Sequence, residues 1–297
     1  MKRLLIAALL LLLPLSAQED ATFSAGVKVV SVLATVLGPK GELVRNLEQN
    51  DFQILENGRP QPIRYFSRDS DLPLTIGLLV DTSMSQAGVI EAERAASFRF
   101  LDAVLREDRD QVFITQFDAS ILVAQPLTAS REKLERALRL VDTPSRSELR
   151  MGIGIGTALY DAVVQSSRDI MAKQTGRKAL IIMSDGGENR SDSTMADAID
   201  AAQKSGTLVY SVLFGGTMGR GILKRLSAET GGGFFEVTSK LPINDVFARI
   251  QEELRGQYNL GYVSDTPVRI SEFRKLQVTV KTKGMKVQAR DRYWAAR

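Results

Sequence analysis

Between Leu74 and Arg255, apolar stretches of strand length alternate with amphipathic stretches of helix length, and this alternation limits the choice of fold more than any other feature. The runs LTIGLLVD, QVFITQFD, KALIIMSD, TLVYSVLF and GFFEVT are rich in β-branched and aromatic residues. Near-continuous apolar runs are what strands covered on both faces require. Helical patterns fill the gaps, over about 89–105, 131–141, 158–172, 194–204, 222–229 and 243–255, and a second short strand, ILVA, follows QVFITQFD. Such alternation predicts an α/β fold with a mostly parallel central sheet and helices on both faces. An apolar fraction of 44% over 297 residues supports a core of that size.

The two ends of the chain have a different texture. Val27–Ala34, Phe52–Leu55 and Pro62–Phe66 on one side, and Gln257–Val263, Lys275–Lys281 and Lys286–Arg290 on the other, read as short strands separated by turn signals such as Gly38-Pro39-Lys40-Gly41. Neither end has enough strands to bury a core alone. The ends are therefore expected to pair into one small β-sandwich-like domain into which the α/β domain is inserted. Because consecutive strands usually neighbour one another, two separate β appendages or an extension of the central sheet are the alternatives. The expected division is a leader over 1–17, an N-terminal β segment over 18–71, the α/β domain over 72–256 and a C-terminal β segment over 257–297. Tyr293 and Trp294 are expected in the core of the β domain.

The first residues, MKRLLIAALLLLLPLSA, combine a basic start, an apolar stretch and a small-residue exit. That pattern fits a secretory signal peptide better than an uncleaved membrane anchor. With no cysteine there is no lipobox to acylate, so a soluble periplasmic or secreted bacterial protein without stable membrane insertion is expected. The formal net charge is +4, and loss of Lys2 and Arg3 with the leader brings it closer to balance. Arg131, Lys133, Arg136 and Arg139 share their helical stretch with Glu132 and Glu135, as on a solvated face, and no nucleic-acid footprint is expected.

The absence of both His and Cys excludes a Ser-His-Asp triad, a thiol nucleophile and a histidine or thiolate metal site. Any metal must be held by oxygen, which points to Mg²⁺, or to Ca²⁺ or Mn²⁺.

In an open α/β sheet, ligands bind beyond the C-terminal ends of the strands. Three polar clusters fall where they would meet there. Asp81, Ser83 and Ser85 follow the first strand of the domain, Thr157 opens the helix of GTALYDA, and Asp185 ends KALIIMSD. Two core strands ending in carboxylates at one sheet edge repel each other unless a positive charge lies between them, and a divalent cation supplies it. Two residues apart, Ser83 and Ser85 point to one side of an extended turn, while Thr82 and Met84 alternate away to pack or cap. Neutral hydroxyls around a cation leave much of its charge uncompensated and open to an anionic oxygen from outside.

Asp81-Thr82-Ser83-Met84-Ser85, Thr157 and Asp185 together resemble the metal-ion-dependent adhesion site (MIDAS) of von Willebrand factor A (VWA) domains. The elements D-x-S-x-S, T and D occur complete and in order, and the resemblance covers roughly residues 72–255. It implies a Rossmann-like central sheet wrapped by helices, with Ser83, Ser85 and Thr157 as direct or near-direct ligands. Asp81 and Asp185 would act largely through water and hydrogen bonds. The flanks, DFQILENGRPQPIRYF and residues 257–295, are similar to the ends of the VWFA-related proteins of acidobacteria.

Other readings of these residues carry less weight. A lone D-x-S-x-S is more often a helix cap than a ligand set, and Thr157 and Asp185 tip the balance toward a metal. Gly152, Gly154 and Gly156 do not follow a strand, and Leu159 stands where a dinucleotide loop needs its third glycine, so a backbone closely approaching the metal is expected instead. Asp118 reads as a turn residue between two strands, and Glu188 as a solvated loop residue. The expected function is a non-enzymatic module that captures an Asp or Glu carboxylate of a protein partner through the cation, with the pull passed to the final helix, Ile243 to Arg255. The alternatives are a Mg²⁺-dependent hydrolase or phosphoryl-transfer enzyme and a structural module with a stabilising metal. The enzyme would need a second carboxylate two residues after Asp81, where Ser83 stands.

Overall fold

The computed structural model describes residues 29–68, 72–215 and 219–297; the leader and the start of the N-terminal segment lie outside the described residues. At the centre is a six-stranded sheet. Its strands are β5 (Leu74–Asp81), β6 (Gln111–Phe117), β7 (Ile121–Thr128), β8 (Arg177–Ser184), β9 (Leu208–Leu213) and β10 (Phe234–Glu236), in the order β10-β9-β8-β5-β6-β7. All neighbours run parallel except β6 and β7, which form an antiparallel hairpin at one edge.

Every residue of β5 is buried, as its unbroken apolar run demands. Gly77 is the one position in β5 without a side chain, and a Cβ there would lie 2.3 Å from the Phe113 ring and 2.6 Å from Leu180. The helices α1 (Ile90–Val104), α2 (Arg131–Leu140) and α7 (Ile243–Arg255) bury their apolar faces in one core with Ile76, Leu78 and Val80. On the opposite face α4 (Leu159–Gln165), α5 (Met195–Ser205) and α6 (Arg220–Thr230) pack with Leu79, Phe113 and Phe117. Strand alternation thus sends successive β5 side chains into two separate cores.

The helix expected over about 158–172 is α-helical only over α4, and continues as a π turn over Ser166–Ile170 and a 3-10 turn over Met171–Lys173. One short helix, α3 (Arg146–Arg150), was not anticipated. It is nucleated by a capping box, with the Ser145 side chain accepting from the Glu148 N–H and the Glu148 carboxylate from the Ser145 N–H.

The chain ends supply β1 (Val29–Leu37), β2 (Phe52–Glu56), β3 (Arg59–Gln61), β4 (Ile63–Ser67), β11 (Tyr258–Val263), β12 (Glu272–Val280), β13 (Lys286–Gln288) and β14 (Arg292–Ala295). They form two four-stranded sheets, ordered β13-β1-β11-β4 and β14-β12-β2-β3. In each sheet N-terminal strands pair antiparallel with C-terminal ones, Val32 opposite Leu260 and Ile54 opposite Val278. Val32, Ile54, Tyr258, Leu260 and Tyr293 belong to one core shared by both sheets. Inside it Glu56 and Arg274, each about 1% exposed, form an ion pair at 3.1 Å; the Tyr262, Tyr293 and Ser264 hydroxyls also donate to Glu56. Trp294 departs from expectation: strand alternation turns it away from this core, and it packs edge-on against Phe273 with the Lys204 ammonium 4.6 Å from its ring centre.

Candidate metal centre

β5 and β8 lie side by side in the middle of the central sheet, with Val80 opposite Met183, so both deliver their following residues to the same edge. Asp81 ends β5 and is fully buried. Its Oδ2 accepts from the Ser184 hydroxyl at 2.5 Å and its Oδ1 from the Ser83 N–H at 2.9 Å. The Ser83 and Ser85 hydroxyl oxygens stand 3.1 Å apart. They meet because the chain curls into a 3-10 turn over Met84–Gln86 rather than because it stays extended. Thr82 packs inward as expected, its N–H donating to the Phe117 carbonyl at 2.8 Å, whereas Met84 stays 45% exposed.

Thr157 is held at the same edge by bonds to the turn after β6 and the loop after β8. The Ala158 N–H donates to the Asp118 carbonyl at 2.7 Å, and the Thr157 N–H donates to Asn189 Oδ1 at 2.9 Å. Asp185 follows β8, and its Oδ1 accepts from the Gly187 N–H at 2.8 Å. Asp185 Oδ1 and Thr157 Oγ1 lie 3.1 and 3.7 Å from the point a Gly187 Cβ would occupy, so they border one small space. The five residues therefore form two groups at one sheet edge, Asp81 with Ser83 and Ser85, and Thr157 with Asp185. The charge of Asp185 is felt at Asp81.

Burial pushes the Asp81 carboxyl up to about 6, against the hydrogen bonds from Ser184 and Ser83, and Asp185 adds to the rise. A third carboxylate, which sequence reasoning missed, sits behind these two. Glu93 on α1 is fully buried and is pushed up to about 8 by burial first and then by the charges of Asp81 and Asp185. With its amide nitrogen turned toward α1, Gln86 donates to Glu93 Oε1 at 3.2 Å and accepts from the Asp185 N–H at 3.2 Å. Glu93 Oε2 has no hydrogen-bond partner among the described residues. The signal was legible: Glu93 falls on the apolar stripe of α1, one turn from Ile90 and two from Phe100.

This donor set fits a hard divalent cation. It consists of hydroxyl and carboxylate oxygens, and its carboxylates repel one another with no basic side chain bonded to them among the described residues. Among the described residues no three acidic side chains are arranged to hold an ion by themselves, so a cation here would depend on the hydroxyls.

Asp118 occupies the turn between β6 and β7, its Oδ1 accepting from the Ser120 N–H at 2.8 Å and hydroxyl at 3.0 Å. Glu188 is not simply solvated: it accepts from the Tyr160 N–H at 2.9 Å and the Ser191 hydroxyl at 2.7 Å, tying its loop to the first turn of α4. Gly154 and Gly156 approach protein groups, where a Cβ would lie 2.2 Å from Pro144 and 2.9 Å from Asn189 Oδ1.

No family model and no curated protein matches the sequence. Solved structures do match in fold. Proximal thread matrix protein 1 from the mussel byssus, in a structure with a zinc-occupied MIDAS motif, superposes with a TM-score of 0.55 at 14% identity, over 68% of this chain and 50% of that one. A von Willebrand factor type A protein from Catenulispora acidiphila gives 0.52 at 12% identity, over 92% and 75% of the two chains. BatB, a conserved hypothetical protein from Bacteroides thetaiotaomicron, gives 0.50 at 16% identity, over 61% and 97%. The central sheet and its helices thus have a VWA-like fold, accompanied here by two additional β-sheets.

Proposed function

We propose that this chain is a protein-binding module in which Asp81, Ser83, Ser85, Thr157 and Asp185 hold a divalent cation, Mg²⁺ first and Ca²⁺ or Mn²⁺ as alternatives, for capture of a partner's Asp or Glu carboxylate. The observation that carries the reading is the meeting of the Ser83–Ser85 hydroxyl pair, the buried Asp81 and the Thr157–Asp185 pair at the C-terminal edge of the sheet. A zinc-occupied MIDAS in a protein of similar fold supports it. The bound cation would supply a Lewis-acidic position for a carboxylate oxygen from outside. The chain's own residues do the rest: Ser184 and the Ser83 N–H orient Asp81, the Gly187 N–H orients Asp185, and Asn189 fixes the backbone at Thr157.

In this proposal residues 72–256 are the binding domain, and 18–71 with 257–297 form a companion β domain. The leader directs the chain to the periplasm or the exterior. No catalytic role is assigned, because the position two residues after Asp81 carries the Ser83 hydroxyl rather than a carboxylate for proton transfer.

The test is titration of Mg²⁺ and Mn²⁺ into the wild type and into Asp81→Ala and Ser83→Ala, with folding checked by thermal melts. The wild type is expected to bind one cation, and each variant to lose at least about ten-fold in affinity. Equal cation affinity in the wild type and Asp81→Ala would remove the reading.

A further inference from the structure

The two segments that carry the proposed hydroxyl ligands also carry large apolar side chains left exposed. Among the described residues Met84, Met151, Ile153 and Ile155 are 45%, 68%, 51% and 57% exposed. Met84 stands between Ser83 and Ser85 in sequence and Ile155 is two residues from Thr157, so both segments that carry the proposed ligands also carry exposed apolar residues. Exposed large apolar residues scattered singly are ordinary, whereas several gathered beside one site mark a contact surface.

The loop that carries three of them is built rather than slack. Gly152, Gly154 and Gly156 have φ of 78°, 75° and 117°, a left-handed backbone at every second residue that turns the intervening side chains outward. The Gly152 N–H donates to the Leu149 carbonyl at 3.0 Å and the Ile153 N–H to the Glu148 carbonyl at 2.9 Å, which fastens the loop to α3. Gly154 is buried against Pro144 and Asp118, and Gly156 packs against Asn189 and Arg190. Presenting Ile153 and Ile155 to solvent is thus a fixed property of the loop.

Two charges lie beside the loop: Asp118, behind Gly154 and engaged by the Ser120 N–H and hydroxyl, and Arg190, which decides what kind of ligand the loop suits. Arg190 is exposed, its side chain packs across Gly156 with Cβ and Cδ 3.3 and 3.4 Å from the Cβ position of that glycine, and its guanidinium makes no ion pair among the described residues. A cation with neutral hydroxyl ligands, an unpaired guanidinium and an apolar rim complement an acidic group with an apolar neighbour.

Resting on the cation-site reading above, we propose that the 151–156 loop and Met84 form a selectivity rim, and that the partner segment it accepts carries an Asp or Glu within two residues of a large aliphatic or aromatic side chain. The carboxylate goes to the cation site and Arg190 steers it there, while the apolar neighbour is buried against Ile153 and Ile155.

The test pans a display library of random peptides on the full chain, with Mn²⁺ or with chelator. The recovered peptides are then titrated against the wild type and against Ile153→Ser/Ile155→Ser. The proposal expects Mn²⁺-dependent peptides that share an acidic residue next to Leu, Ile, Met or Phe. Their affinity should drop about ten-fold or more in the double variant, while its Mn²⁺ affinity and melting temperature match the wild type. Acidic peptides without apolar neighbours, or equal affinity for the double variant, would overturn the rim and leave the cation site standing. Cation-dependent self-association that the double variant abolishes would name a second copy as the occupant and also overturn it. Absence of Mn²⁺ binding would remove both readings.

Discussion

At the scale of single residues, the centre is a cluster of acids held together against their own charge. Asp81, pushed up to about 6, must be ionised to support a cation. Cation affinity is therefore expected to fall as pH drops below about 6, and titrations at successive pH values check this; a flat profile between pH 5 and pH 7.5 would contradict it. Glu93 acts in the opposite sense. In the metal-free fold it keeps its proton up to about pH 8, whereas an unfolded glutamate loses it near 4.5. Its contribution to stability is thus fully present below about 4.5 and lost as pH rises through about 8. Over that window a single proton changes stability by at most about 1.4 kcal/mol per pH unit. Glu93→Gln keeps a neutral, hydrogen-bonding group beside Gln86. Melting in chelator should show it losing less stability than the wild type between pH 5 and pH 8. An unchanged slope would show that Glu93 does not retain its proton.

At the scale of elements, what the sequence disclosed and what it hid have physical reasons. β5 and β8 were legible because strands buried on both faces need unbroken apolar runs, and the parallel sheet followed from the helices between them. Asp81 and Asp185 could be placed at one sheet edge from sequence because they end or directly follow strands, whereas Thr157 follows a glycine loop and only the motif pointed to it. α3, β3 and β14 were not, being short elements fixed by a capping box, a turn at Asn57-Gly58 and pairing with β12 rather than by periodicity. The place of Glu93 on the apolar stripe of α1 was legible, but its closeness to Asp81 and Asp185 depends on tertiary packing. The foot of α7 was hidden for the same reason. Asp110, 1% exposed, accepts from the Leu74 N–H at 3.0 Å, from the Arg106 N–H at 3.0 Å and from the Arg255 guanidinium at 2.5 Å, joining the start of β5 to the end of α7. Burial pushes its carboxyl up, but the Arg106 and Arg255 hydrogen bonds outweigh this and hold it below the usual range. Its stabilisation is therefore present at neutral pH and lost in acid, as the pH falls through the lowered value. Asp110→Ala removes the acceptor of the Leu74 N–H and leaves Arg255 with the Val104 carbonyl, and chemical denaturation is expected to show a loss of about 2 kcal/mol. A loss below about 1 kcal/mol would mean the clamp is dispensable.

At the scale of the whole molecule, α7 is one of the contacts between the halves, another being α5 against β14 through Arg292–Asp200 at 2.7 Å and Lys204 over Trp294, and α7 is the one that runs on directly into the β sheets. Only Gly256 and Gln257 separate its last residue, Arg255, from β11, which pairs with β1 along six residue positions, Val29 to Ala34. Its C-terminal turn is held from the central sheet as well, by the Arg177 guanidinium donating to the Leu254 carbonyl at 2.7 Å. Gln257 then bridges Tyr210 of β9 and Thr35 of β1 at 3.4 and 3.5 Å. An axial shift of α7 cannot be absorbed in a slack linker; it must either break these bonds or carry β11 and β1 with it. Hydrogen exchange with Mg²⁺ and an acidic peptide, compared with chelator, is therefore expected to change protection in α7 and β11 together, and no change in either would show that the helix stays in place. A change confined to α7, with β11 and β1 as in the free chain, would show that the β domain is mechanically separate from the proposed cation site. Asp110→Ala sharpens the comparison, since it frees the foot of α7 from β5 while leaving Gln257 and the β11–β1 pairing intact. If the cation site drives the helix, the ligand-dependent change in β11 should be larger in that variant than in the wild type.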